Sequence, residues 1–365
     1  MKNLRKSLPV TTIVLQAGGN GRIGTKFYKI FETLKIISII LKGFSSIMIL
    51  ANFGLSGGWE MPSFRSYLIE KGIKLSVKRV LRKGILEREL DEKRQMLDTV
   101  ARKLAKLPKN CKVQKLEIEG LYAEWLDSEN IAADKVILYL HGGGYALCSA
   151  NTHRPLAASI GKAAGVKVLF PEYRLAPEHP FPTAIEDAVS VYRWLLRQGY
   201  NPENIIFAGD SAGGGLSIAA ALVLRDQNEP LPRALICLSP WVDLTSSGDS
   251  YRKNKAVDPY LTVKGVRDAA RMYSGHEIPL DHPLVSPVFA DLTGIPPLFI
   301  QAGNHEILQS DAELLAKKAR QAGVEVYLKV WDKMWHVWQI SGDRLPEAKK
   351  AISDIGNYIK KVFNE

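Results

Sequence analysis

The 365 residues contain only three cysteines, Cys111, Cys148 and Cys237, far apart and without a C-x-x-C pair. That scarcity excludes a disulfide framework and argues against a structural zinc site. It fits a reducing compartment, so a cytoplasmic location is expected. Cys237 sits in the apolar run Ala-Leu-Ile-Cys-Leu and reads as a small buried hydrophobe. No long hydrophobic run is free of charge. The best one, residues 36–54, carries Lys42 near its middle, where an insertion cost of roughly 2.5–3.5 kcal/mol opposes a signal anchor. No A-x-A-like cleavage site follows it, so neither membrane attachment nor a cleaved signal is expected. Nor is there a basic stripe interleaved with aromatics. The net charge is +11, but residues 1–60 hold +6 of it, and the remaining 305 residues hold only +5. Nucleic acid is therefore not an expected partner.

The first sixty residues do not resemble the rest. Gly19-Asn20-Gly21-Arg22-Ile23-Gly24 matches G-x-G-x-x-G after a strand-like stretch. A dinucleotide site also needs an acidic residue about 20 positions on, and near position 44 the chain reads Leu-Lys-Gly-Phe. A nicotinamide oxidoreductase built on this segment is thus disfavoured. Codons for Gly57-Gly58-Trp59-Glu60 form a purine-rich, ribosome-binding-like stretch just before Met61. Met61 is accordingly read as the initiator and residues 1–60 as a translated leader. Peptides from 1–60 in protein isolated from its native host would sink that reading.

What is there becomes legible from Met61 onward. Hydrophobic residues make up 46% of the chain and charged residues 24%, ordinary for a globular protein with a large core. Residues 62–107 show helical spacing, punctuated by Gly72 and Gly84, and predict two or three amphipathic helices. Residues 113–126 alternate and predict a hairpin of half-buried strands. Short apolar runs follow at Val136–Leu140, Val166–Phe170, Ile205–Ala208, Ala234–Leu238, Leu298–Ala302 and Val324–Val330. Helical stretches at about 154–164, 183–197, 212–226, 309–322 and 346–362 separate them or close the chain. Near-continuous apolar runs mark strands buried on both faces, and the alternation predicts an α/β fold with a mostly parallel sheet flanked by helices.

Two glycine-rich motifs carry chemistry. Gly209-Asp210-Ser211-Ala212-Gly213 fits G-x-S-x-G, with a buried strand running in and a helix of small residues running out. That context suits a tight strand–turn–helix elbow presenting Ser211 as a nucleophile. Gly213 also suits close helix–sheet packing. Asp210 is read as structural more than as a tuner of the elbow. His141-Gly142-Gly143-Gly144-Tyr145 follows the strand ending at Leu140. Its glycines offer backbone N–H groups to a developing oxyanion, and Gly143, Gly144 and Ala212 are the expected donors. Of seven histidines only His336 lies beyond the last predicted strand, in a tryptophan-rich stretch, and it is the expected base. Those tryptophans either wall an acyl or alcohol site or simply pack. The acid should follow the Leu298–Ala302 strand, where Glu306 and Asp311 compete. Glu306 is favoured because it is nearer the strand end, while Asp311 suits a helix N-terminus.

These residues resemble the hormone-sensitive-lipase-like family of α/β-hydrolases, which includes bacterial esterases and arylacetamide-deacetylase-like enzymes. The likeness runs from about Met61 to the C-terminus. It rests on HGGGY (141–145), THRPLA (152–157), YRLAPEHPFP (173–182), GDSAGGG (209–215), LSPWVDL (238–244) and KMWHVW (333–338). The resemblance implies an α/β-hydrolase fold and a helical cap from 62–110 with about 246–284. It also implies a serine carboxylesterase acting on short- to medium-chain acyl esters through a Ser-His-Glu triad and an acyl-enzyme, with neither metal nor organic cofactor. Many relatives carry Asp-Pro-Leu-x-Asp at the acid, where this chain reads His-Glu-Ile-Leu-Gln. Amide, lactone or carbamate cleavage stays open because the chemistry is shared. A non-catalytic ligand receptor on the same scaffold should lose part of the triad, and here Ser211 and His336 are both present. A homodimer is no more than a guess from sequence.

Overall fold

A computed structural model describes residues 63–81, 89–104, 106–129 and 131–364. The glycine-rich 19–24 segment, the apolar 36–54 run and the Met61 boundary all lie outside them.

Eight strands form one sheet in the order β1-β2-β4-β3-β5-β6-β7-β8. β1 (Lys112–Ile118) and β2 (Leu121–Asp127) form the expected hairpin. Its turn residues, Glu119 and Gly120, both have positive φ, matching the right-handed strand twist. β2 runs antiparallel to β4 (Val166–Pro171), and all pairs from β4 onward through β3 (Ala132–Leu140), β5 (Ile205–Asp210), β6 (Ala234–Leu238), β7 (Leu298–Gly303) and β8 (Val326–Trp331) are parallel. β5, β6 and β7 are buried at every position, which is why their sequences are apolar without alternation.

Helices α1 (Phe64–Leu81) and α2 (Leu90–Leu104) precede the sheet. α3 (Ala150–Ala164), α4 (Thr183–Arg197), α5 (Ala212–Asp226), α8 (Gln309–Gln321) and α9 (Pro346–Asn364) cover its faces. Short α6 (Ser250–Lys253) and α7 (Val263–Tyr273) lie in the segment between β6 and β7. One face of the sheet packs Leu138, Leu140 and Phe207 among α4, α5 and α8, and the other packs Tyr139, Phe170 and Ile236 with α3 and α9.

Three elements begin two or more residues from where the sequence reading puts them. α3 begins four residues early because Ser149 caps it: its hydroxyl accepts from Asn151 N–H while Thr152 accepts from Ser149 N–H. β3 begins at Ala132, where it meets β4 before a shift in register. β8 begins two residues late because Val324 N–H still closes α8 on the carbonyl of Ala319 at 3.0 Å.

Candidate active site

Every expected functional residue lies at the carboxyl ends of the parallel strands, where ligands bind in open α/β sheets. β5 delivers Ser211, β3 the 141–145 loop, β7 the loop with Glu306, and β8 the turn with His336.

Ser211 sits between strand and helix with φ 54° and ψ −122°, a conformation that L-residues rarely adopt. It is held from both sides. Its N–H donates to the Leu238 carbonyl at 2.8 Å, and its carbonyl accepts from Trp241 N–H at 2.9 Å. Gly209 and Gly213 face each other across this turn. A Cβ on Gly213 would lie 2.6 Å from the carbonyl of His141, and one on Gly209 2.7 Å from that of Leu140, so both readings of these glycines apply at once. Ala212 opens α5, and N–H groups of a first helical turn have no intrahelical acceptor.

Asp210 is buried behind the elbow. One oxygen accepts from Tyr139 Oη at 2.8 Å and Gly142 N–H at 3.2 Å, while the other meets His153 Nε2 at 3.1 Å. Burial opposes its charge, but the neighbouring His153 and the Tyr139 hydroxyl outweigh that and hold its carboxyl below the ordinary range. It thereby ties the elbow to the 141–145 loop. His141 stacks on Tyr173 with ring centroids 4.4 Å apart, and its carbonyl accepts from Tyr173 Oη at 2.6 Å. Burial pushes the His141 imidazole down to about 4, which leaves it neutral. Gly143 and Gly144 have φ of 117° and 64°, and a Cβ on Gly144 would lie 3.1 Å from Ala269 of α7.

Glu306 and His336 come together, with Oε2 2.7 Å from Nδ1. The other oxygen of Glu306 accepts from Gly303 N–H at 2.6 Å and from Ser239 Oγ at 2.9 Å. Burial works against the imidazolium of His336. The bond and charge of Glu306, with the charges of Asp258 and Asp210, more than offset it and raise the imidazole above its ordinary 6.5. Asp311 lies elsewhere. It accepts from Val242 and Asp243 N–H at 3.1 and 3.0 Å and from Tyr251 Oη at 3.2 Å, and burial pushes its carboxyl well up. Sequence reasoning missed Ser239 altogether. It has φ 46°, donates to Glu306, and accepts from Val337 N–H at 3.1 Å, so one hydroxyl links Glu306 to the residue next to His336. The LSPWVDL motif that contains it was the available signal.

Trp331, Trp335 and Trp338 around His336 are buried, packed with Met334 and with Ile69 and Ile73 of α1, and Tyr260 lies against the cluster. Among the described residues no group of three or more His, Cys, Asp or Glu could hold a metal ion, and no helix is long and apolar enough to cross a membrane.

Comparison with known proteins agrees with this fold. A family profile described as α/β hydrolase fold matches residues 137–340. An acetyl-hydrolase of Streptomyces hygroscopicus is 45% identical over 243 residues, which are 67% of this chain and 81% of the relative. An esterase of Acinetobacter venetianus is 37% identical over 265 residues, 73% of this chain and 87% of its own. A crystal structure of an esterase from the bacterial hormone-sensitive lipase family superposes with a TM-score of 0.77 at 42% identity, covering 83% of this chain and all of that one. The fold and site define an α/β-hydrolase. The chain belongs to the hormone-sensitive-lipase-like family of bacterial esterases and is a serine carboxylesterase.

Proposed function

We propose that this enzyme hydrolyses short- to medium-chain acyl esters through Ser211, His336 and Glu306. The observation that carries the reading is the left-handed Ser211 turn on the same sheet edge as the buried Glu306–His336 pair. Ser211 Oγ attacks the ester carbonyl as His336 Nε2 takes its proton. Glu306 keeps the other imidazole proton on Nδ1 and stabilises the imidazolium. The N–H groups of Gly143, Gly144 and Ala212 hold the oxyanion, and removing one such donor typically costs about 10²–10³ in rate. The alcohol leaves with the proton from His336. Water, giving its own proton to His336, then attacks the acyl-enzyme, and the carboxylic acid is released as His336 returns that proton to Ser211 Oγ.

α1, α2 and residues 246–284 act as the cap. Ile69 and Ile73 from one side and Tyr260 from the other meet the tryptophans beside His336. Tyr273 of α7 stacks on Tyr145 of the glycine loop at 3.7 Å between centroids. Arg94 of α2 donates to the carbonyls of Ala146 and Ala176 at 2.9 and 2.8 Å. The small-acyl preference follows the family resemblance and suits the acetyl-hydrolase and esterase relatives. The three free thiols suit a reducing, cytoplasmic setting.

The test is a series of initial rates on p-nitrophenyl esters from acetyl to palmitoyl, for the full chain and its Ser211→Ala variant. Activity concentrated on the shorter acyl chains and lost in the variant is expected. A folded protein inactive on every ester, or a variant as active as its parent, would overturn the reading.

A further inference from the structure

The segment that follows β6 contains three polar side chains at intervals of four residues, Ser250, Asn254 and Asp258. Consecutive helical turns set that spacing, since Asn254 N–H donates to Ser250 O at 2.8 Å and Asp258 N–H to Asn254 O at 2.8 Å. All three point at the loop that carries Glu306, and most of their bonds are to its backbone. Ser250 Oγ donates to Ile307 O at 2.5 Å and accepts from Ser310 N–H at 3.0 Å. Asn254 Nδ2 lies 2.8 Å from Glu306 O, 3.1 Å from Asn304 O and 3.0 Å from Gln309 Oε1. Asp258 Oδ2 accepts from Ile307 N–H at 2.8 Å, and its Oδ1 accepts from Tyr260 and Leu261 N–H at 2.7 and 2.8 Å.

The peptide group between Glu306 and Ile307 is thus gripped on both sides by one segment: its carbonyl by Asn254, its N–H by Asp258. The far side of the same loop is fixed to the turn before His336. Asn304 N–H donates to Trp331 O at 3.1 Å and His305 N–H to Met334 O at 2.9 Å. We propose that Asn254 and Asp258 are positioning residues, which set the distance between Glu306 and His336 from within the 246–284 segment. The inference rests on the reading of Glu306 and His336 as acid and base. A shift of about 1 Å in a catalytic group can cost on the order of 10²-fold, so a clamp on the acid's own peptide has kinetic consequences. Asp258 is completely buried, and its charge adds to those of Glu306 and Asp210 in raising the imidazole of His336. Burial in turn pushes the Asp258 carboxyl up to about 6, against the pull of His336 and the three N–H donors.

The experiment compares Asn254→Ala, Glu306→Gln and their double variant in the full chain, reading kcat, KM and the acidic limb of kcat against pH on p-nitrophenyl butyrate. Asn254→Ala is expected to lower kcat about 10- to 100-fold with KM within about twofold. Its acidic limb should move to lower pH as the Glu306–His336 bond loosens. In the Glu306→Gln background the same change should cost less than about twofold, because nothing remains to be positioned. A drop in thermal stability with kcat and the pH limb unmoved, or losses that multiply in full in the double variant, would overturn the clamp while leaving the triad standing. A fully active Glu306→Gln would instead overturn the triad reading and the clamp with it. Asp258→Asn turns an amide N–H₂ toward the N–H donors on one side and so breaks one grip. It replaces Asn254→Ala in the same cycle if that variant does not fold; because the Asp258 charge itself raises His336, the deciding readout is then the coupling to Glu306→Gln in kcat and not the pH limb.

Discussion

Two buried histidine–carboxylate pairs flank the elbow, and they differ in what the second ring nitrogen does. In the pair behind Ser211, His153 Nε2 meets Asp210 at 3.1 Å and its Nδ1 meets Thr152 Oγ1 at 2.7 Å, so both nitrogens are engaged within the fold. In the other, Glu306 meets His336 Nδ1 at 2.7 Å, and Nε2 has no hydrogen-bond partner among the described residues. The carboxylates differ too. Asp210 divides its oxygens among Tyr139, Gly142 and His153, bracing one loop against another, whereas Glu306 is held by Ser239 and Gly303 so that one oxygen is aimed at the imidazole. A short, buried His–carboxylate contact is therefore not by itself a catalytic signature. Under the proposed mechanism the unpartnered nitrogen and its place on the sheet edge make the distinction.

That contrast can be broken by substitution. Ser211→Ala and His336→Ala should each lower kcat by about 10⁶-fold, as loss of a nucleophile or base does in a comparable triad, whereas His153→Gln should stay within about tenfold of the parent. Equal losses at the two histidines in p-nitrophenyl ester assays would erase the contrast. Glu306→Gln should cost about 10⁴-fold in kcat, because the imidazole loses its fixed tautomer. The acidic limb of what activity remains should also move to lower pH. Glu306 helps to raise His336, and under the proposed mechanism its neutral imidazole is the base, so removing that charge lets the ring deprotonate at lower pH.

Asp210→Asn should behave in the opposite way, with about tenfold or less in kcat but a stability loss of roughly 1–3 kcal/mol from a buried donor left unsatisfied. Urea unfolding measures it. The sign with pH is set by the depressed carboxyl. Its contribution is fully present above the ordinary value of 3.8 and is lost as acid takes the pH down through the lowered one, so acid should narrow the gap between parent and variant. Smallest of all, prolonged dialysis against EDTA should leave the ester rates within error. A rate that fell and returned with added metal would require a role for an ion that the triad mechanism does not contain.

The elbow and the glycine loop were legible because each is local. Five consecutive residues between a buried strand and a small-residue helix specify the Ser211 turn, and no distant partner is needed to recognise it. His336 was singled out by chain order, since of the seven histidines it alone lies past the last strand. The choice between Glu306 and Asp311 was a matter of reach, which sequence distance approximates poorly. β7 and α8 bring both into the core, but Asp311 turns to the Val242–Asp243 backbone.

By itself, then, the sequence determined the α/β alternation, the strand and helix periods, and the two glycine motifs, because these depend on side-chain periodicity and on φ angles that few residues tolerate. Only the tertiary structure decided that Ser239 reaches Glu306 across 67 positions and that Asn254 and Asp258 grip the Glu306–Ile307 peptide from about 50 positions away. It also decided that Asp210 spends itself on bracing. Those bonds join polar groups of ordinary type at no characteristic spacing, and they exist because the packed sheet buries the groups together and a buried polar group must find a partner.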